Sequence, residues 1–481
     1  MQKVYITTAI AYANGVPHLG HAYEILIADT INRMMILGNK ETFFQTGSDE
    51  HGLKIQQSAI KRNITPQQLC DENVSKFKDL YTKLGIEYSH FTRTSSEQHK
   101  KKVLEIFEKI SEKGLIYKGV YSGYYNVREE RYLSEIEARL TDYKDPVTNQ
   151  EYSVVEEESY FFKMEPFRRD IINYLSKQDV LPTESKHIIL ERLKSPLHDL
   201  SISRTSFDWG IPIGGGHVLY VWFDALLNYY NESLLNNCFH IIGKDIVWFH
   251  AVIWIAMLLA LESPLPKKII VHGFINDKNG LKMSKSIGNV ISPDILFERF
   301  PADVIRYHFI KHFNGSDFKF DLDKVMEVEL PHLFGNYICR CFKMLAKYNN
   351  SVVPSCSHLN SKIIDNVVVS YKEQIANLDI KKVLEIIQNF LVVINKNITE
   401  DEPWKLCPGT QRDSIVAGCT KNVFVLAYLY EPYLPETCKK LKKSFSLTTN
   451  ISDLNNVDLT DSQVNTDIGI LFPTQKTINS L

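Results

Sequence analysis

The sequence predicts an α/β protein: a parallel sheet domain interrupted by a small inserted subdomain and followed by an all-α helix bundle. Three observations predict it. The chain opens on a β-branched apolar segment, KVYITTAIAY, that runs into the breaker cluster ANGVPHLGH, then a helical pattern, then the strand-like ETFFQTG. Strand, turn, helix and strand in that order favour a parallel sheet of the Rossmann type, with ligands bound at the carboxyl ends of its strands. From Tyr117 the texture turns aromatic and turn-rich, in YKGVYSGYYNV and the charged residues after it, before the α/β pattern resumes. From about residue 325 to 440 nearly every segment has helical periodicity and few strand signals, as in a helix bundle.

Each element carries its own signals. In the first helix Ala22, Ile25, Leu26, Ile31, Met34 and Met35 recur at helical spacing until Gly38. Helices then dominate to about residue 116, with start signals at Thr65-Pro66 and at Ser95-Ser96-Glu97. The sheet pattern returns at HVLYVWFDALLNYY, continues through CFHIIGKDIVWFH and ends on the strand KKIIVHGFI. The apolar run IVWFHAVIWIAMLLAL over 246–261 is interrupted by His250 and is short for a bilayer, so it predicts a buried helix. ISPDILFERFPADVIRYHFI starts as a helix capped by Ser292, with Pro293 in its first position. The tail after Leu441 is rich in Ser, Thr, Asn and Asp before one apolar patch, GILFP, and is expected to be loosely held. The resulting division is 1–116 and 191–275 for the halves of the sheet domain, 117–190 for the insertion, 276–325 for the loop region after the last strand, and 326–481 for the helical domain with its tail.

Composition narrows the classes. At 481 residues the chain exceeds the length at which single cores stop growing. Hydrophobic content of 44% and charged content of 23% fit a soluble globular protein. Lysine plus arginine total 55 against 57 acidic residues, so any nucleic-acid contact must come from a local patch. The start MQKVYITTAIAYANG has neither a secretory signal's pattern nor a transit peptide's, and no membrane partner is expected. Cysteines 70, 238, 339, 341, 356, 407, 419 and 438 are dispersed without a CxxC pair. That argues against a zinc ribbon or a disulfide framework and fits a cytoplasmic protein.

Two short motifs carry chemistry. PHLGH, residues 17–21, lies in the turn between the first strand and its helix, where unpaired N–H groups and partial positive charge favour a phosphate. His18 and His21 would add donors, and Gly20 removes a side chain where a nucleotide approaches the backbone; a glycine turn with one capping histidine is the alternative. GLKMSKSIGN, residues 280–289, holds Lys282 and Lys285 between two glycines. On spacing alone both are readable as surface residues.

The pair of motifs, in this order and in one α/β domain, resembles the double signature of the class I aminoacyl-tRNA synthetases, with Leu19 where isoleucine is common. AIAYANGVPHLGH, TGSDEHG, VWFDALLNYY and IGKDIVWFHAVIW are similar, in order, to the methionyl-tRNA synthetase family over roughly residues 4–440. The resemblance implies methionine activation by ATP and transfer to tRNA(Met), with His18, His21, Lys282 and Lys285 stabilising charge and Mg²⁺ accompanying ATP. It implies a methionine pocket of Ile10, Tyr12, Trp222, Ala225, Tyr229, His250 and Trp254, with Asp49 for the α-ammonium. Aromatic walls suit a polarizable thioether, and a buried ammonium needs a paired charge. It also implies that Gly243 and Asp245 face the nucleoside beside Gly20, and that Asn336, Arg340 and Trp404 read the anticodon from an anticodon-binding bundle. NYICRCFKMLAKY places Asn336, Arg340, Lys343 and Lys347 on one helix face, and single-stranded RNA is read by such a face plus a ring.

The sequence departs from the family where many relatives carry zinc knuckles. Asn126 and Glu129 stand where cysteines would fall, so no structural zinc and no metal-ligand residues are expected. No extra C-terminal dimerisation domain follows the bundle, and a monomer is expected. Two rivals remain: another class I synthetase, such as the cysteine enzyme, which needs zinc ligands, and a catalytically silent tRNA-binding paralogue, which would not need HLGH, KMSKS and Asp49.

Overall fold

The computed structural model describes residues 3–126, 131–133, 135–146, 148–283, 288–355, 361–454 and 456–472. Contacts divide the chain into one unit of residues 1–17, 43–79 and 88–273, and a second of 18–42, 80–87 and 274–481.

The first unit is built on a six-stranded sheet. Its order runs Lys268–His272, Cys238–Gly243, Val4–Thr8, Thr42–Asp49 and Ala11–Tyr12, and His90–Arg93 also pairs with Thr42–Asp49. Parallel pairing places Cys238–Gly243 between Val4–Thr8 and Lys268–His272, and nearly every residue of these strands is buried. Such continuous Val, Ile and Phe runs are what a strand covered on both faces requires. The insertion forms an antiparallel four-stranded sheet in which the long strands Ile116–Asn126 and Ser153–Phe162 pair with each other. Its edge strand, Leu200–Ser201, pairs with Phe161 and Phe162 and lies beyond residue 190.

The apolar run over 246–261 is buried, and its path is irregular. A 3₁₀ turn, Lys244–Ile246, precedes a π turn, Phe249–Ile253, in which the Trp254 N–H bonds the Phe249 carbonyl, before the α-helix Trp254–Ala260. Periodicity alone predicted one plain helix. The wide turn inserts an extra residue, a feature that recurs at functional sites.

In the second unit a buried ion cluster joins its sequence-distant parts. Arg306 Nη2 lies 2.6 Å from Asp29 Oδ2, and its guanidinium also donates to the carbonyls of Leu84 and Pro432. Asp29 accepts from Arg33 Nε at 2.7 Å and from the Glu87 N–H at 3.1 Å. Burial opposes the Asp29 charge, and the two guanidiniums outweigh it, so its pKa falls below the ordinary value. Breaking such a cluster by removing one partner strands a buried charge. The helices Asn336–Asn349, Ser361–Asn377, Ile380–Asp401, Thr410–Leu429 and Pro435–Ser444 form the expected bundle. Ser292 caps the helix Pro293–Arg299 through the Asp294 N–H, as expected.

The tail differs from expectation. Leu454, Leu459, Val464 and Phe472 are buried, Val352 bridges Gln463, Phe445 bridges Val464, and Phe472 packs edge-on against Phe334. Sparse apolar anchors hold a segment whose polar composition reads as loose. Among the described residues no helix is long and apolar enough to cross a membrane.

Candidate active site and RNA-binding face

In the first unit the residues expected to surround methionine fall into two groups, one at the paired strands of Tyr12 and Asp49 and one of connected aromatic side chains. Strand register sets Tyr12 opposite Asp49, and the Ala13 N–H donates to the Asp49 carbonyl at 2.8 Å. Both side chains are half-buried. Ile10 is half-buried too, and a Cβ at Gly47 would lie 3.0 Å from its Cγ2, so that glycine permits the close packing.

The aromatic residues form one connected group. Trp222 stacks on Phe249 at 3.7 Å and stands edge-on to His250 at 6.4 Å. His250 Nδ1 lies 3.0 Å from the Ile246 carbonyl, which fixes its proton there, so Nε2 accepts from the Tyr229 hydroxyl at 3.1 Å. Burial pushes the His250 imidazole down to about 4. The Trp254 Nε1–H donates to His240 Nε2 at 3.1 Å, and His240 Nδ1 faces Thr7 Oγ1 at 2.6 Å. Burial lowers the His240 pKa well below the ordinary value as well. Two neutral histidines are thereby held in fixed tautomers among aromatic rings. Ala225 is buried, and its carbonyl accepts from Asn228 Nδ2 at 2.6 Å.

Several supporting residues gave no functional signal in the sequence. Asp224, next to Ala225, is buried between two histidines: His51 Nδ1 at 2.5 Å and His99 Nε2 at 2.6 Å. Burial would raise the Asp224 pKa, but the two histidines outweigh it and bring it to about 2. This bridge joins the SDEHG loop, which carries Asp49, to the helix that carries Trp222. Beside Asp49, the buried Glu50 carboxylate accepts from Arg93 Nε at 2.6 Å and Nη2 at 2.9 Å, and from the Ser48 and Ser95 hydroxyls. Gln45 ties the central strand to Asn228. Reading these from sequence would have required knowing which strands become neighbours.

Gly243 ends its strand buried, and a Cβ there would come within 2.7 Å of Asp245 Oδ1, so the glycine lets that exposed carboxylate fold back over the strand end.

The histidines of the first motif and the second motif's loop belong to the second unit. His18 caps the helix Leu19–Leu37, its Nδ1 accepting from the Gly20 N–H at 3.1 Å, while His21 Nδ1 accepts from the His18 N–H at 3.2 Å. The rings stack at 3.7 Å. Because each Nδ1 accepts a backbone proton, each neutral ring carries its own proton on Nε2. Gly20 serves the cap itself: a Cβ there would lie 2.9 Å from His18 Cε1.

Of the KMSKS loop, Ser284, Lys285, Ser286 and Ile287 fall outside the described residues. Its two flanking glycines have left-handed backbones, Gly280 with φ 85° and Gly288 with φ 72°. Asp277 ties the loop base, accepting from the Asn279 and Leu281 N–H groups and from Asn289 Nδ2, each at 2.9 Å. Lys282 Nζ lies 4.3 Å from the Phe274 ring centroid.

In the helical domain a π turn, Leu330–Gly335, leads into Asn336–Asn349. Asn336, Lys343 and Lys347 are exposed and Arg340 half-buried on that helix, and the Arg340 guanidinium lies 5.2 Å from the Trp404 ring, which is 43% exposed. An open ring backed by a guanidinium offers a stacking platform for a base.

The family model described as "tRNA synthetases class I (M)" matches residues 4–141 and 137–342. A methionine–tRNA ligase of Rhizobium meliloti is 35% identical over 93% of this chain and 93% of its own. This chain belongs to the methionyl-tRNA synthetase family. A methionine–tRNA ligase of Fusobacterium nucleatum is 33% identical over 95% of this chain and 77% of that protein. The Mycobacterium tuberculosis methionyl-tRNA synthetase in complex with methionyl-adenylate superposes with a TM-score of 0.91 at 31% identity, covering 98% of this chain and all of that one. As a methionyl-tRNA synthetase the chain is a ligase: it activates methionine with ATP and charges tRNA.

Proposed function

We infer that this chain joins methionine to the 3′ end of tRNA(Met) in two steps, and that the residues described above divide the work. The observation that carries the reading is the buried Tyr229–His250 pair among Trp222, Phe249 and Trp254, in the unit that also holds Tyr12 and Asp49. A thioether gains from ring edges; Asp49 offers the charge an ammonium needs.

In the first step a carboxylate oxygen of methionine attacks the α-phosphorus of ATP. The bond to pyrophosphate breaks, giving methionyl-adenylate. Negative charge grows on the phosphate oxygens and on the leaving group, and Mg²⁺ bound with ATP supplies counter-charge. His18 and His21 offer Nε2–H donors, and Lys282 and Lys285 offer mobile positive charge; positioning and electrostatics of this kind need no covalent catalyst. Gly243 and Asp245 face the nucleoside. In the second step the hydroxyl of the terminal adenosine attacks the methionyl carbonyl, and AMP leaves. Asn336, Arg340 and Trp404 read the anticodon, which assigns residues 326–481 to anticodon binding and 276–325 to contact with the tRNA stem.

The insertion has no fit for a zinc knuckle at Asn126. Its Nδ2 donates to Asp145 Oδ2 at 2.8 Å, and Asp145 Oδ1 accepts from the Thr148 N–H at 2.8 Å, so hydrogen bonds close the turn. Glu129 lies outside the described residues. Zinc held by residues 117–190 would overturn this reading. We propose a monomer, which sedimentation can refute, acting in the cytoplasm, where free thiols such as Cys339 and Cys407 stay reduced.

Amino-acid-dependent exchange of labelled pyrophosphate into ATP, run across all twenty amino acids, tests the assignment. Methionine alone should respond. A response to cysteine instead supports the other synthetase, and no response supports a silent paralogue.

A further inference from the structure

One cluster among the described residues, His308, His312 and Glu327, gathers side chains of the types that bind transition ions, and nothing in the ligase mechanism uses it. His308 and His312 are four apart at the C-terminal end of the helix Ala302–Lys311, a spacing that turns both rings to one side. Glu327 comes from the segment that leads into the helical domain. Its Oε1 lies 2.8 Å from His308 Nδ1 and 3.2 Å from His312 Nε2. The second oxygen, Oε2, accepts from Lys311 Nζ at 2.7 Å, and Lys311 also pairs with Glu329. Three ligand atoms therefore converge while the lysine takes the other oxygen.

Charge and burial favour a cation. Glu327 and Glu329 against one ammonium leave a negative charge over when the imidazoles are neutral. The His308 side chain is 4% exposed and that of Glu327 12%, whereas that of His312 is 42% exposed and gives an ion a way in. Phe318 stacks on His312, and Phe320 stands edge-on to His308, walling the site with apolar rings. His308 Nε2 is buried with no partner among the described residues. Without an ion Nδ1–H donates to Glu327, so a metal takes the Nδ1 lone pair as that proton moves to Nε2. The two separations from Glu327, 2.8 and 3.2 Å, lie at or below the roughly 3.3 Å edge of a tetrahedron with bonds of about 2.0 Å, and all three ligand atoms lie within 4.8 Å of one another.

We propose that His308, His312 and Glu327 bind one divalent ion of the zinc class, with water as the fourth ligand. Two imidazoles and one carboxylate suit zinc better than calcium or magnesium. The ion would fasten the helix end to the segment entering the helical domain. The sequence reading, which looked for thiolate pairs, passed over HFIKH.

Calorimetric titration of the full chain with Zn²⁺, after a chelator has removed bound metal, tests the site. Wild type should bind one ion per chain with a rise in Tm, and His312→Ala should lose roughly ten-fold or more in affinity and the Tm rise with it. Methionine-dependent pyrophosphate exchange should be intact in His312→Ala, which shows that the variant is folded. A Cys339→Ser, Cys407→Ser double variant should bind as wild type does. No binding by wild type, equal binding by His312→Ala, or loss of binding in the double-serine variant would overturn the proposal.

Discussion

The proposed methionine pocket and the proposed phosphate motifs differ in how they hold their histidines. In the first unit His240 and His250 are buried, neutral and fixed by hydrogen bonds on both ring nitrogens, to Thr7 and Trp254 or to Ile246 and Tyr229. In the second unit His18 is exposed and His21 half-buried, and their Nδ1 atoms accept backbone protons at the helix cap, which leaves the ring proton on Nε2. On the proposed assignment a thioether is recognised by shape in a dry site, which suits buried rings whose polar atoms are already paired. On the proposed assignment a triphosphate brings its own charge and meets donors at a helix end. The proposal thus gives one residue type two roles, wall in one place and charge partner in the other.

The largest effect expected on the pocket side concerns its internal bridge. Asp224→Asn removes a carboxylate that two buried histidines share, and should cost roughly 4 kcal/mol of stability, measured by denaturant unfolding. A change below about 1 kcal/mol would mean the bridge holds nothing together.

Next comes pH. The ordinary His250 pKa of 6.5 is lowered by burial to about 4 in the folded protein. The unfolded chain therefore takes up the proton first: stability is full above pH 6.5 and is lost as pH falls towards 4, by about 3 kcal/mol from this residue alone. His250→Asn should flatten unfolding free energy over that window; an unchanged slope would contradict the buried neutral assignment.

The comparison also explains what the sequence disclosed. The phosphate motifs are local: a turn, a cap and a glycine-flanked loop are each contiguous, so PHLGH and GLKMSKSIGN were legible, as were the caps at Ser96 and Ser292. The pocket is assembled from strands distant in sequence. Tyr12 and Asp49 meet through parallel register, and His51 meets Asp224 across 173 residues. Only family resemblance pointed to the pocket walls, and nothing pointed to Asp224, His99 or His240. The π turn at Phe249–Ile253 was invisible because apolar periodicity does not reveal one inserted residue. The tail was misjudged because four buried anchors scattered over Leu454–Phe472 make no periodic pattern.

A smaller effect should separate RNA reading from both sites. Trp404→Ala removes an exposed ring that the proposal assigns to base stacking, and should raise the KM for tRNA about ten-fold while pyrophosphate exchange stays unchanged. Equal losses in both assays would show that the ring supports the fold instead.

The most direct measurement compares the two regions in one assay. Steady-state pyrophosphate exchange on Lys285→Ala and Tyr229→Phe, with methionine varied, separates kcat from KM. Lys285→Ala should lower kcat about a hundred-fold with little change in the KM for methionine, because its contact strengthens as charge develops; Tyr229→Phe should raise that KM with kcat nearly intact. If Lys285→Ala changed KM alone, or Tyr229→Phe changed kcat alone, the division between a fixed pocket and a charge-stabilising loop would be wrong.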